Sequence, residues 1–281
     1  MTAPPLLIAQ ITDLHIKPVG ELAYRQVDTA TALKHCIAQV NGLRPRPTLV
    51  VVSGDLVDGG KDEEYAHLKR LLTDLAVPLV AIPGNHDSRA PMRRAFPDQP
   101  YAGNGAMNLH VALGPVDLVL LDSSVAGQDH GVLEQDTLAW LDATLASAPQ
   151  RPALLFLHHP PFVTGIGYMD DMNLQNPGDL AAIVARHPRA RMIACGHVHR
   201  SVHTMFAGVP TSICPAPNLA VALDLTRDPV PSLIIEPPGF YLHAWFAGSG
   251  YGDVVTHLVP IGDFGGPRPF HPVDDNGAGG G

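Results

Sequence analysis

Five short stretches of the chain gather residue types that bind metal ions: Asp13-Leu14-His15, Gly54-Asp55, Gly84-Asn85-His86-Asp87, His158-His159-Pro160-Pro161 and Gly196-His197-Val198-His199. Carboxylate and amide oxygens combined with imidazole nitrogens suit borderline divalent or trivalent ions such as Zn, Mn, Fe or Co. Cys36, Cys195 and Cys214 are not clustered, which excludes a structural zinc site. One ion takes about four to six ligands, fewer than the candidates present, so two ions are implied. A carboxylate can bridge such a pair. Ions about 3.5 to 4 Å apart polarise a phosphoryl group and lower the pKa of a bridging water into the physiological range. Two imidazoles one residue apart, as in His197 and His199, lose solvation at a buried strand exit unless something binds them.

Each stretch directly follows an apolar run of strand length: "LLIAQI", "TLVVV", "PLVAI", "ALLFL" and "MIAC". Continuous runs rich in Val, Leu and Ile are the pattern of strands buried on both faces. Between them, Val27, Ala30, Leu33, Ile37 and Val40 repeat at helical period, as do Tyr65 to Leu75, Leu133 to Leu145 and Leu180 to Val184. Alternating strand and helix predicts an α/β fold with its functional groups outside the carboxyl ends of the strands. Beyond residue 200, "SVHTMFAG", "VPTSIC", "AVALDL", "SLIIE", "FYLHAWF" and "VVTHLVP" are separated by Pro and Gly, which reads as antiparallel strands without a helix. "FYLHAWF" and "VVTHLVP" are expected to lie away from the centre with exposed edges that a second copy covers, giving a homodimer or a larger assembly of dimers. One domain is expected over residues 1–264, its β-rich part (200–264) contributing to a cap or to oligomer contacts, with a mobile Gly/Pro-rich tail over 265–281.

Composition narrows the partners. The 281 residues are 46% hydrophobic and 16% charged, with a formal net charge of −9 and no Lys/Arg-rich run. Long nucleic acid and anionic membrane surfaces are therefore poor partners, and an anionic substrate needs positive charge that metal ions supply. An odd number of unpaired cysteines points to a reducing compartment and a cytoplasmic protein. The N-terminal stretch has no basic start and its apolar run, Leu6 to Ile11, is short, so neither a signal peptide nor a membrane span is expected there.

In their order and intervals, "DLH", "GDLVDGG", "GNHD", "HHPP" and "GHVH" resemble the signature of the calcineurin-like metallophosphoesterases over about Leu6 to His199. "AYRQVDTATAL", "DEEYAHLKRLL" and "GVPTSICPAP" are most similar to the bacterial branch that holds class III cyclic nucleotide phosphodiesterases and glycerophosphodiesterases. The resemblance implies a four-layer α/β/β/α sandwich of two mixed sheets with a binuclear centre between them. It implies one metal site from Asp13, His15 and His199, another from Asn85, His158 and His197, and Asp55 as the bridge. His159 falls to a supporting position. His86 lies beside the substrate phosphate in the family pattern, where it could stabilise charge or protonate the leaving oxygen. Where the branch offers a second phosphate-facing histidine, this chain has Leu219, with Asn218 beside it as a neutral donor. The remaining histidines, among them His35, His67, His110, His130, His187 and His271, read as surface or structural residues, and "YMDDMNL" as part of the pocket rim.

The implied activity is hydrolysis of small phosphodiesters, cyclic nucleotides or glycerophosphodiesters, by a metal-bound hydroxide. A catalytically weak regulatory or scaffold member of the same fold, and a phosphomonoesterase, are the alternatives. A nuclease acting on long DNA is disfavoured by the acidic balance.

Overall fold

The computed structural model describes residues 5–103, 105–247 and 254–270. In chain order the elements begin β1 (Leu6–Ile11), α1 (Thr29–Gly42), β2 (Leu49–Ser53), α2 (Asp62–Leu72), β3 (Leu79–Ile82) and α3 (Arg89–Ala95). Then come β4 (Leu109–Leu113), β5 (Val116–Leu121), α4 (Gln135–Ser147), β6 (Ala153–Leu157), α5 (Gly167–Asp170), α6 (Pro177–Arg186) and β7 (Ala190–Cys195). The described remainder holds strands alone: β8 (Val202–Phe206), β9 (Val209–Ile213), β10 (Ala220–Val221), β11 (Leu233–Ile234), β12 (Gly239–Trp245) and β13 (Val254–Pro260).

Two mixed sheets result, in the orders β13-β12-β1-β2-β3 and β4-β5-β6-β7-β9-β8. Strands β1, β2 and β3 run parallel, as do β5, β6, β7 and β9, while β12 and β13 add antiparallel to the first sheet. Period-two alternation sorts each strand between layers. In β2, Val50 and Val52 face helices α1 and α2 through Leu33, Ile37, Tyr65 and Leu68. Its Leu49 and Val51 face the other sheet through Leu118, Leu154 and Phe156. Leu155 and Leu157 of β6 point outward to Leu141 of α4 and Ile183 of α6. Three apolar layers thus separate helices, sheet, sheet and helices, which is the expected four-layer sandwich.

Helix starts follow the local sequence. The Asp28 carboxylate accepts from Thr31 N (2.9 Å) at the start of α1. Acidic Asp62, Glu63 and Glu64 open α2 and Lys69 and Arg70 close it, matching the helix dipole. Strands β4 and β5 lie outside the sequence reading; β5 ends at Leu121 and is followed by Asp122, whose carboxylate accepts from Arg89 Nε (2.7 Å) and Ser124 N (2.9 Å).

One expectation is corrected. "FYLHAWF" is not an exposed edge: β12 is an interior strand between β1 and β13, and within Gly239–Trp245 every residue is buried except Leu242, which is half-buried. Of these two strands β13 is the edge, with Val255 41% and Leu258 51% exposed. Of the expected tail, residues 271–281 lie outside the described residues. No helix among the described residues is long and apolar enough to cross a membrane.

The opposite edge of the first sheet is closed by side chains. Gln99 Oε1 accepts from Ala81 N (3.1 Å), its Nε2 donates to Leu79 O (3.0 Å), and Tyr101 OH donates to Ala81 O (3.0 Å). A side-chain amide thereby occupies the ladder positions another strand would take. Gln99→Ala is expected to lower the unfolding free energy by about 1–2 kcal/mol and to increase concentration-dependent light scattering. Unchanged urea unfolding and scattering would refute that role.

Candidate metal centre

All five motif stretches emerge at carboxyl ends of parallel strands, after β1, β2, β3, β6 and β7. Pairing continues past the strand ends: Asp13 N donates to Gly54 O (3.0 Å), His15 N to Asp55 O (3.0 Å) and Ile16 N to Leu56 O (3.3 Å). This ladder keeps the two loops in register while their backbones turn. Asp13 (φ 54°), His15 (46°), Asp55 (50°), His197 (74°) and His199 (57°) all adopt the left-handed region. For residues with a Cβ that conformation costs roughly 1–2 kcal/mol each, so strain is concentrated at the donor-bearing positions. Glycine supplies the close approach between sheets. A Cβ on Gly54, itself at φ 104°, would stand 2.2 Å from His158 Nδ1, and one on Gly196 would stand 2.2 Å from Thr12 Oγ1.

The donors form two groups about one carboxylate oxygen. On one side His15 Nε2 lies 3.2 Å from His199 Nε2, which lies 3.4 Å from Asp13 Oδ1. On the other, Asn85 Oδ1 lies 3.1 Å from both His158 Nε2 and His197 Nδ1. Asp55 Oδ2 stands between, 3.5 Å from His15 Nε2 and 3.3 Å from His158 Nε2. Backbone and carboxylate partners aim each ring. His158 Nδ1 donates to Ser53 O (2.9 Å), and His15 Nδ1 donates to Asp58 Oδ1 (3.2 Å), turning both Nε2 atoms inward. Asp13 is held by His197 N at 3.1 Å to both oxygens, and Asp55 Oδ1 by His86 N at 2.9 Å.

Burial sets the protonation of this crevice. It lowers the proton affinities of His15, of His199 to about 4, and of His197 well below the usual imidazole value, leaving them neutral. Burial and the nearby Asp55 charge raise Asp13, although His158 opposes them. Burial alone would also raise Asp55, yet His158 and His86 hold its carboxyl well below the usual range. His158 is the exception among the imidazoles: despite burial, Asp55 and Asp13 lift it to about 9. The centre therefore presents imidazole lone pairs converging on carboxylates, with one shared proton at His158. His197 Nε2, His199 Nδ1 and His159 Nε2 are buried without a hydrogen-bond partner. Such a donor set fits a pair of cations, each meeting nitrogen and oxygen donors of the kind Zn, Mn, Fe and Co accept.

A cavity of about 450 Å³ opens over the centre, lined by His15, Asp55, Asn85, His86, His197 and His199 on one side. His86 Nδ1 donates to Asp58 O (2.8 Å), so its Nε2 is the free ring nitrogen. Burial lowers its proton affinity, but Asp55, the Asp58 carbonyl and Asp58 outweigh it and the net shift is upward. Leu219 lines the cavity while packing against Ala23, Val27 and Leu233. The expectation for Asn218 is corrected: its Nδ2 donates to Asp13 O (2.9 Å) and Leu14 O (3.2 Å), and Oδ1 accepts from Leu219 N. Its amide braces the β1 loop and has no donor left for a substrate. His159 packs edge-on against His158 and tilted against His197, with Nδ1 2.8 Å from Ser123 Oγ. His67, His110, His187, His203 and His243 bond to other groups of the fold, and His271 lies outside the described residues.

Two residues at the centre were missed in the sequence. Asp58 fixes His15 and is itself paired with Lys17 Nζ (2.9 Å); burial would raise its carboxyl, but the bonds to His15 and Lys17 hold it well below the usual range. Its place in "GDLVDGG", three residues after Asp55, was a usable signal. Tyr24 reaches the cavity from a tight turn in which it and Arg25 both take left-handed backbone (φ 49° and 61°), closed by Ala23 N to Val27 O and Val27 N to Ala23 O at 2.9 Å each. No local pattern marks that turn, because it lacks the Gly or Asn such turns favour.

A two-sheet sandwich that delivers paired nitrogen and oxygen donors from facing strand ends defines a dinuclear metallohydrolase type of centre. The calcineurin-like phosphoesterase family model matches residues 6–201, and the chain belongs to that family. It is 38% identical over 268 residues to a probable glycerophosphodiester phosphodiesterase of Arcobacter nitrofigilis, covering 95% of this chain and 97% of the relative. A 3′,5′-cyclic adenosine monophosphate phosphodiesterase of Pseudomonas aeruginosa is 34% identical over 199 residues, 71% of each chain. Among solved structures, a dimetal phosphatase from Danio rerio shares the fold with TM-score 0.64 at 16% identity, over 92% of this chain and all (100%) of that one.

Metal uptake must expel the proton that His158 holds, so affinity is expected to rise with pH, by up to about tenfold per unit, as pH approaches the His158 value of about 9. Competition titration of Zn or Mn against a chelator across that range measures it. An affinity independent of pH would show that His158 is already neutral without metal.

Proposed function

We propose that the chain hydrolyses small phosphodiesters, glycerophosphodiesters or cyclic nucleotides, at a binuclear centre of Fe, Mn, Zn or Co. The observation that carries this reading is the division of donors around Asp55 Oδ2, with Asp13, His15 and His199 on one side and Asn85, His158 and His197 on the other. The relatives named as phosphodiesterases support the reaction type. A diester is favoured over a monoester because no Lys or Arg is among the described residues lining the cavity, while the Asp129 carboxylate is. A singly charged phosphate suits that field better than a dianion. The retained donors likewise favour an enzyme over a scaffold.

Bound there, two such ions supply Lewis acidity at the phosphoryl oxygens and bring the pKa of water to about 7. The protein's own residues orient and move protons. Asp58 and Ser53 O hold His15 and His158 in the ligand tautomer. His86, anchored through Nδ1 to the Asp58 carbonyl and biased toward imidazolium by the surrounding carboxylates, directs Nε2 to the departing oxygen and donates its proton there.

The reading extends to assembly and place in the cell. The β13 edge, with Val255 and Leu258 exposed, pairs with a second copy to form a homodimer or a larger assembly of dimers. The buried free thiols of Cys36, Cys195 and Cys214 fit a reducing cytoplasm.

Protein loaded with excess Mn or Zn and desalted is expected to hold two ions per chain and to hydrolyse bis(p-nitrophenyl) phosphate; a stoichiometry of one or below contradicts the centre. His86→Ala is expected to keep both ions yet lose about 10²- to 10⁴-fold in turnover on diesters with poor leaving groups, and less on nitrophenyl esters. Because His86 acts protonated, activity on poor leaving groups should fall as pH rises through its raised pKa, a limb absent from the variant. Equal losses on both ester types would reduce His86 to positioning the phosphate. Light scattering of the intact protein should give at least a dimer mass, and Leu258→Arg should lower it.

A further inference from the structure

Beyond the donor residues the cavity is mostly apolar. Leu219, Val221, Leu233, Tyr168, Met169 and Met172 line it. These residues come from two segments that are fastened together. Strands β10 and β11 pair Val221 directly with Leu233, placing both side chains on one face of the ribbon. Leu233 in turn packs on the cluster of Leu219, Ala23 and Val27. Tyr168 begins the other segment, and its hydroxyl accepts from Ser232 N at 3.4 Å, tying the ribbon to α5. Tyr168, Met172 and Val221 are packed from behind by the outer apolar layer of the second sheet.

We propose that this wall is a subsite for one ester arm of the substrate, and that the arm is apolar or aromatic. The inference rests on the phosphodiester reading and narrows it. A phosphate held at the donor side leaves its second ester substituent to fill the rest of the roughly 450 Å³ cavity, and the surface it meets there is aliphatic, aromatic and thioether. Methionine side chains adapt their shape and make favourable contacts with ring edges, so Met169 and Met172 accept a flat group as well as a branched one. A further anionic group in that arm meets Asp129 and no lining Lys or Arg, which disfavours a second phosphate. An arm that gives up about 80 Å² of apolar surface to the wall gains on the order of thirtyfold in affinity.

The test uses two diesters with the same p-nitrophenyl leaving group and different second arms, methyl and phenyl. In metal-loaded parent protein the phenyl ester should have the higher kcat/KM, mostly through a lower KM. In Met172→Ser and Leu233→Ser, the kcat/KM for the phenyl ester should fall at least tenfold further than that for the methyl ester. Calorimetry with methylphosphonate and phenylphosphonate repeats the comparison without turnover, and tighter phenyl binding with a negative heat-capacity change should weaken in both variants. Equal affinity for the two phosphonates in the parent, or equal losses on both arms in both variants, would overturn the wall. Phenyl-selective binding without hydrolysis of either ester would leave the wall standing and remove the phosphodiesterase reading.

Discussion

Lone pairs that converge in a buried crevice repel one another and lose their water, and the rest of this fold is arranged around holding them there. Four imidazoles, two carboxylates and an amide oxygen approach to between 3.1 and 3.5 Å across the junction of two sheets. Nothing local favours that gathering. It is held by the apolar layer between the sheets, which fixes the strand ends, and by loop ladders such as Asp13 N to Gly54 O that carry strained backbone past the strands.

The change from apolar core to polar centre is graded. Below the donors, Gln10, Ser53 and His243 are fully buried polar residues that satisfy one another: His243 Nε2 bonds Gln10 Oε1 (3.1 Å), and Gln10 Nε2 donates to Ser53 Oγ (2.9 Å). Gln10 Nε2 also reaches Cys195 O of the facing sheet (3.0 Å), so the network joins the layers directly beneath the centre. Burial lowers His243 to about 3, keeping it neutral within this network. A satisfied network of this kind costs little net stability and discriminates against sliding of one sheet on the other.

Electrostatics then divide the labour. Asp58 serves two histidines with different atoms, its carboxylate orienting His15 and its carbonyl orienting His86. Burial keeps the His15 ring neutral against the pull of Asp58, while Asp55 and Asp58 bias His86 toward the charged form at the cavity wall. The same aspartate neutralises Lys17, so no free ammonium enters the donor set.

Much of this was legible in the chain itself. Apolar runs of strand length, each followed by Asp, Asn or His, located the side chains that the fold gathers into one cluster able to hold metal, because a strand and its exit are encoded by neighbouring residues. Helical periodicity located α1, α2, α4 and α6 for the same reason. Order within a sheet has no such local code: β12, read as an exposed edge, is interior because β1 pairs with it across more than two hundred residues of sequence, Ile8 opposite His243. Only tertiary structure turned the Asn218 amide onto Asp13 O and Leu14 O, away from the cavity. It alone brought Asp58 to His15 and Tyr24 to the cavity mouth, and it placed five donor residues in left-handed backbone. Residue type and spacing determine which groups can bind a metal; which of their atoms face it is decided by contacts between segments that meet only when both sheets have closed.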